Sequence, residues 1–307
     1  MKFSGTSIIS LRDFDADSIM HILDASKKID EDRAKYSDKL KGMVLATLFF
    51  EPSTRTRLSF ESAMHRLGGK VMGFAEPKGT SAQKGESLAD SLKIVEGYSD
   101  VIVLRHPVEG SARLASEICH VPVINGGDGA NQHPSQTFLD LYTILKAKGK
   151  LQRLKVGFMG DLKYGRTVHS LAFALAQFDS RMYFISPPSL HMPNDMLAEL
   201  EELKVDFTQH SDFDEVKKEL DILYVTRIQR ERFGTELDYE KVKEGYFISP
   251  AALDGAKSSM KLLHPLPRVD ELSEEVDDTK YAIYFEQAAN GIPVRMALLC
   301  LVMGAIN

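Results

Sequence analysis

The fold class that this sequence predicts is α/β, with two domains that are each a parallel sheet flanked by helices. Three observations carry that expectation. A length of 307 residues corresponds to about two domains of ordinary size. Short, mostly apolar runs recur at Met43–Phe50, Asp100–Leu104, Leu154–Met159 and Ile222–Thr226, too short for buried helices and typical of strands covered on both faces. Between such runs come polar turns and apolar residues at helical spacing, the alternation of strand–helix–strand units.

Taken in order, Asp15–Ala34 carries Ile19, Ile22, Leu23 and Ile29 on one side and reads as an amphipathic helix. After the Met43–Phe50 strand, Leu58, Ala63, Met64 and Leu67 recur at helical spacing, and Gly68-Gly69 stops that helix. Lys70–Ala75 is a short strand. Glu76–Glu86 has almost nothing apolar to bury and is expected to be a mobile surface loop. Ser87–Tyr98 reads as a helix, Asp100–Leu104 and Val121–Ile124 as strands, and Phe138–Lys148 as a helix closed by Gly149. These units suffice for a first domain, placed at 1–134. The second, placed at 150–286, starts with the Leu154–Met159 strand and a Val168–Ala176 helix. It continues with strands at Arg181–Ile185, Lys204–Phe207, Ile222–Thr226 and Met260–Leu263. Gln287–Met303 has Ile292, Met296, Leu299 and Met303 on one face, and the C-terminal helix 287–307 is assigned to the first domain.

The chemistry concentrates where strands give way to helices. Between the Met43–Phe50 strand and its helix lies Glu51-Pro52-Ser53-Thr54-Arg55-Thr56-Arg57. The first N–H groups of a helix are unpaired and partly positive, which suits an anion. Ser53, Thr54 and Thr56 add hydroxyl donors, and Arg55 adds a planar fork matched to phosphate oxygens. An ordinary N-cap needs one Ser or Thr, so three hydroxyls and two arginines point to phosphate. This is not a Walker loop, because G-x-x-x-x-G-K-[ST] is missing. Arg105 ends a strand, where ligands bind in α/β sheets. His133, at a helix start beside Pro134, is disfavoured as a cation. Arg166 stands at another helix start and also suggests an anion. The glycines at 157, 160 and 165 do not form G-x-G-x-x-G, and no acid follows the next strand, so a nicotinamide cofactor is poorly supported.

Composition narrows the class. Net charge is −6 and the isoelectric point about 5.9, against general nucleic-acid binding. No apolar run approaches ~18 residues, and Met1–Thr6 lacks the apolar core of a signal peptide, so a cytoplasmic location is expected. The two cysteines, Cys119 and Cys300, imply neither a disulfide framework nor a zinc site.

Phe49–Thr56 resembles the carbamoyl-phosphate signature of the aspartate and ornithine carbamoyltransferases, and His133-Pro134-Ser135-Gln136-Thr137 resembles their second signature. The likeness runs along nearly the whole chain through the Lys84 loop, Arg105, G-R-T-V-H-S from Gly165, R-I-Q from Arg227 and H-P-L-P-R from His264. The last three look like the aspartate branch. Ornithine enzymes carry Cys where Pro265 stands, and an S-M-G motif that does not occur here. Two arginines, Arg166 and Arg227, also suit the two carboxylates of aspartate.

The resemblance implies an active site in the cleft between the domains and attack of the aspartate α-amino group on carbamoyl phosphate. Ser53, Thr54, Arg55 and Thr56 would hold phosphate, with Ser81 and Lys84. Thr56, Arg105 and His133 would polarise the carbonyl oxygen. Gln136 and the backbone oxygens of Pro265 and Leu266 would hold the carbamoyl NH2, and Arg166, Arg227, Gln229 and Lys84 would bind aspartate. Glu51 would pair with Arg166 and Arg232 on closure. The family's Ser81–Lys84 loop serves a neighbouring subunit, so a homotrimer is implied, with a regulatory chain as a possible partner. No metal, organic cofactor, nucleic acid or membrane is expected. The rival readings are a carbamoyltransferase for another amine and a non-catalytic carbamoyl-phosphate-fold binding protein.

Overall fold

The computed structural model describes residues 3–78, 80–228 and 245–306. The chain forms two compact units, Met1–Tyr142 with Asn290–Asn307, and Thr143–Ala289. Each contains a wholly parallel sheet with helices between its strands.

In the first unit, α1 (Ala16–Glu31) precedes β1 (Val44–Phe49), α2 (Thr54–Arg66), β2 (Lys70–Phe74), α3 (Leu88–Glu96), β3 (Val101–His106), α4 (Ser111–Ile118) and β4 (Val123–Asp128). The sheet order is β2-β1-β3-β4. The two central strands are β1 and β3, and their apolar residues are buried as continuous runs demand. Ala46, Leu48, Ile102 and Leu104 pack with Leu92 of α3 and Ala112 and Ala115 of α4. Each fully buried Leu or Ile contributes about 1.5–3 kcal/mol. The β1–β3 register sets Phe49 beside Arg105, so the turn leaving β1 starts next to that arginine.

In the second unit, β5 (Lys155–Met159), α6 (Arg166–Ala176), β6 (Arg181–Ile185), α7 (Asn194–Glu202), β7 (Phe207–His210), β8 (Ile222–Val225) and β9 (Lys261–Leu263) follow in order. The sheet order is β7-β6-β5-β8-β9. Met159, Ile185, Leu223 and Val225 lie in its core with Tyr284 and Leu272. Two helices, α5 (Pro134–Lys148) and α8 (Tyr284–Val302), include the boundaries at 142/143 and 289/290.

Several expectations need correction. Strand β3 runs past Leu104 to His106, which keeps Arg105 at its C-terminal end, and β4 continues past Ile124 to Asp128. The strand expected at Lys204–Phe207 lies at Phe207–His210, because Lys204 adopts a left-handed turn (φ 57°) after α7. Leu58 is 50 % exposed and does not share the buried face of Phe60, Ala63 and Met64. The polar Glu76–Glu86 stretch holds one 3-10 turn, Ser81–Lys84. Helices α4 and α7 had no expected counterpart.

Gly160, which opens the turn between β5 and α6, has φ 117°. A Cβ there would lie 2.3 Å from the Thr226 carbonyl oxygen, so both conformation and space exclude a side chain. Gly255 has φ 78° but its nearest neighbours are lysine side-chain carbons at 3.9 Å. Gly255→Ala should therefore cost only the left-handed strain, about 1–2 kcal/mol. Gly160→Ala adds a backbone clash and should cost about 2–5 kcal/mol. Chemical unfolding of both variants checks this, and equal losses would show that the β5–α6 turn relaxes around the methyl group.

Candidate active site

The start of α2 differs from those of α1 and α3 in the same unit. Asp15 caps α1 and Ser87 caps α3, each accepting a hydrogen bond from a first-turn N–H. Both helices also carry an acid in the first turn. At α2 the N-cap Ser53 makes no side-chain cap bond and the first turn has no acid. Its amides and the exposed Thr54 and Arg55 side chains are left to an anion. Thr56 is buried, and its Oγ1 lies 3.3 Å from His133 Nε2, across 77 residues of sequence.

Arg105 is fixed on the other side of this turn. Phe50 N–H donates to the Arg105 carbonyl at 2.8 Å. The guanidinium Nη1 donates to the Gly126 carbonyl at 3.1 Å, and Nη2 pairs with Glu51 Oε1 at 2.8 Å. Glu51, an anion beside a candidate anion site, is thus matched by a cation from the neighbouring strand.

His133 is placed by a loop organised around a carboxylate that the sequence reading did not single out. Asp128, 1 % exposed, accepts from Asn125 Nδ2 at 2.9 Å, Gln132 N–H at 3.1 Å, Asn131 Nδ2 at 3.1 Å and Gly110 N–H at 2.9 Å. A buried carboxylate that accepts several N–H bonds locks the backbone around it. The His133 carbonyl accepts the Gln136 N–H at 3.0 Å and so starts α5 one residue before Pro134. Gln136 Nε2 then donates to Asp140 Oδ1 at 2.9 Å.

In the second unit α6 repeats the α2 pattern. Its N-cap Gly165 offers no side chain, its first turn has no acid, and Arg166 is its first residue. The turn before it is tied by Tyr164 N–H to Asp161 Oδ1 at 3.0 Å. Arg227 is half-buried just beyond β8. Pro265 and Leu266 follow β9 on a loop held by His264. The Leu266 N–H donates to His264 Nδ1 at 2.8 Å, which leaves the proton of a neutral ring on Nε2, 2.7 Å from Glu271 Oε1. The His264 N–H donates to Gln287 Oε1 at 2.8 Å. Burial acts to raise the Glu271 carboxyl, but hydrogen bonds from the His264 ring and the Val269 N–H help to outweigh it and leave it below its ordinary value. The H-P-L-P-R run showed His264, while Glu271 and Gln287 gave no signal, since their partners are fixed only by folding.

The structure therefore links Ser53–Thr56, Arg105, His133 and Gln136 within one unit. Ser81 and Lys84 stand on an exposed turn and are not among the residues joined by these bonds. Gln229 and Arg232 lie outside the described residues. Among the described residues, no group of three or more His, Cys, Asp or Glu is placed to hold a metal ion.

Comparisons with known proteins agree with this geometry. Residues 6–146 match the family model for the aspartate/ornithine carbamoyltransferase carbamoyl-P binding domain, and residues 152–302 that for the Asp/Orn binding domain. The aspartate carbamoyltransferase catalytic subunit of Thermococcus onnurineus is 56 % identical over 100 % of both chains. That of Bacteroides fragilis is 49 % identical, over 97 % of this chain and 96 % of its own. Among solved structures, the catalytic subunit of M. jannaschii aspartate transcarbamoylase superposes with a TM-score of 0.91 at 50 % identity, covering 97 % of each chain. Trypanosoma cruzi aspartate transcarbamoylase in complex with carbamoyl phosphate and aspartate gives 0.92 at 36 % identity, covering 98 % of this chain and 96 % of its own. An uncapped helix start beside Arg105 and His133, and two domain models that together span nearly the whole chain, make it a member of the aspartate/ornithine carbamoyltransferase family.

Proposed function

We propose that this chain transfers the carbamoyl group of carbamoyl phosphate to the α-amino group of L-aspartate, giving N-carbamoyl-L-aspartate and phosphate, a step of pyrimidine synthesis. The observation that carries the reading is the uncapped, acid-free start of α2 with Thr56 Oγ1 3.3 Å from His133 Nε2. Phosphate is held by the α2 amides with Ser53, Thr54, Arg55 and Thr56. Thr56, Arg105 and His133 donate to the carbonyl oxygen as it becomes an oxyanion, the term that dominates acyl-type transfer. Gln136 and the carbonyls of Pro265 and Leu266 take the carbamoyl NH2. Arg166, Arg227 and Gln229 bind the aspartate carboxylates. The amine loses its proton to the departing phosphate, so positioning and electrostatics supply the catalysis.

Ser81 and Lys84 complete the site from a neighbouring subunit of a cyclic trimer. Their exposed turn supports this, since side chains that bind substrate in another subunit must project from their own. The name "catalytic subunit" on its relatives supports a separate regulatory chain. No helix among the described residues is long and apolar enough to cross a membrane, in keeping with a cytoplasmic enzyme.

The direct experiment follows phosphate release from carbamoyl phosphate with aspartate, ornithine or putrescine as acceptor. Turnover is expected with aspartate alone. Turnover with ornithine or putrescine instead would select the other-amine reading, and tight binding without turnover the non-catalytic one.

Arg227→Ala should remove a partner of a substrate carboxylate, costing about 2–5 kcal/mol, or roughly 30-fold to several thousand-fold in aspartate kcat/KM. Carbamoyl phosphate affinity should change little, and equal losses of both would contradict the division between the two units.

Shared sites predict complementation. Arg55→Ala and Lys84→Ala proteins should each be nearly inactive. After dissociation and mixed reassembly, about a quarter of sites should combine both intact residues and recover activity. Hybrids that form yet stay at parental activity would assign Lys84 to its own subunit or to no site.

A further inference from the structure

Behind Gln136 lies a charged layer that the reaction above does not use. Asp140 is fully buried, one turn along α5, and accepts the Gln136 Nε2 proton at 2.9 Å. Arg295 of α8 is only 3 % exposed, and its guanidinium lies over the Phe60 ring of α2, 5.0 Å from the centroid. Its Nε has no hydrogen-bond partner among the described residues. Burial pushes the Arg295 guanidinium down to about 10, and the charge of Asp140 opposes that shift. Gly291 makes the room, since a Cβ there would lie 2.2 Å from Arg295 Nη1. All these residues belong to the first unit.

Burying charged side chains is costly, and apolar ones of similar volume often serve stability as well or better. A carboxylate, however, does one thing that no apolar or amide side chain does. It accepts hydrogen bonds and cannot donate them. Facing it, Gln136 must turn an N–H towards Asp140, which directs its Oε1 to the opposite side of the amide. A carbamoyl group presents an NH2, two donors that need acceptors. A reversed Gln136 would set NH2 against NH2.

We propose that Asp140 is a positioning residue that fixes the Gln136 amide with its oxygen toward the carbamoyl NH2, and so makes the site prefer a carbamoyl phosphate to an acyl phosphate without N–H. This rests on the function proposed above and extends it to residues that do not touch the substrate.

The test uses Asp140→Asn, whose amide can donate or accept and so releases Gln136. Selectivity is the ratio of kcat/KM for carbamoyl phosphate to the affinity for acetyl phosphate, measured as a competitive inhibitor. Acetyl phosphate carries a methyl where the NH2 stands and uses the same phosphate contacts. The variant should lose about 10- to 100-fold in this ratio, with acetyl phosphate affinity nearly unchanged. In a Gln136→Ala background the same substitution should have little further effect, because its route is gone. Asp140→Asn strands the Arg295 charge, so Asp140→Asn/Arg295→Met, which removes both charges, is measured beside it and should show the same loss. An unchanged ratio in either folded variant, or an effect that persists without Gln136, overturns the inference. An active wild type with that result leaves the proposed reaction standing, whereas a wild type that does not turn over carbamoyl phosphate and aspartate overturns both.

Discussion

The first peptide N–H groups of α2 have no acceptor within the helix, and what surrounds them follows from that deficit. At α1 and α3 of the same unit it is met locally, by Asp15 and by Ser87. At α2 the cap side chain is disengaged and acids are kept out of the first turn. Satisfaction is deferred to something external, and an anion is what such a group of amides selects. The parallel register of β1 and β3 then brings Arg105 to the same end of the sheet. Glu51 would repel an anion, and Arg105 neutralises it at 2.8 Å while its other nitrogen is tied to the Gly126 carbonyl. The guanidinium is thus oriented by one main-chain carbonyl and one carboxylate.

The same physical solution recurs in the second unit with different parts. Gly165 leaves α6 uncapped, Arg166 begins it, and Gly160 lets the preceding turn pass close to Thr226. Main-chain acceptors for a substrate NH2 require a rigid loop, and the 264–268 loop is held by an imidazole in one tautomer. His264 accepts from Leu266 N–H on one nitrogen and meets Glu271 on the other. Asp128 does comparable work for the residues before His133. Both carboxylates are buried and accept N–H bonds that hold the backbone around them.

Much of this was legible in the sequence, for identifiable reasons. Buried parallel strands need unbroken apolar runs, so β1, β3, β5 and β8 announced themselves. Hydroxyls and arginines close together at a helix start made Ser53–Thr56 stand out as a candidate anion site. Helix α4 was not, because Ser111–Ile118 is only eight residues, about two turns, too short for a period to stand out. β7 was misplaced because Lys204, not Phe207, marks the turn. Asp128, Asp140, Glu271 and Arg295 gave no signal, since their burial is fixed only by folding. Ser81 and Lys84 are the reverse case, recognisable from the motif alone, because an exposed turn gives no local reason for a role.

The central claim is that the deficit at the start of α2 is what carbamoyl phosphate fills. Amide hydrogen exchange read by mass spectrometry, with and without carbamoyl phosphate and no second substrate, tests this directly. Slowed exchange in peptides covering 52–57, with no protection at 160–170, is the predicted result. Protection confined to the start of α6, or none at the start of α2 under saturating carbamoyl phosphate, would contradict it.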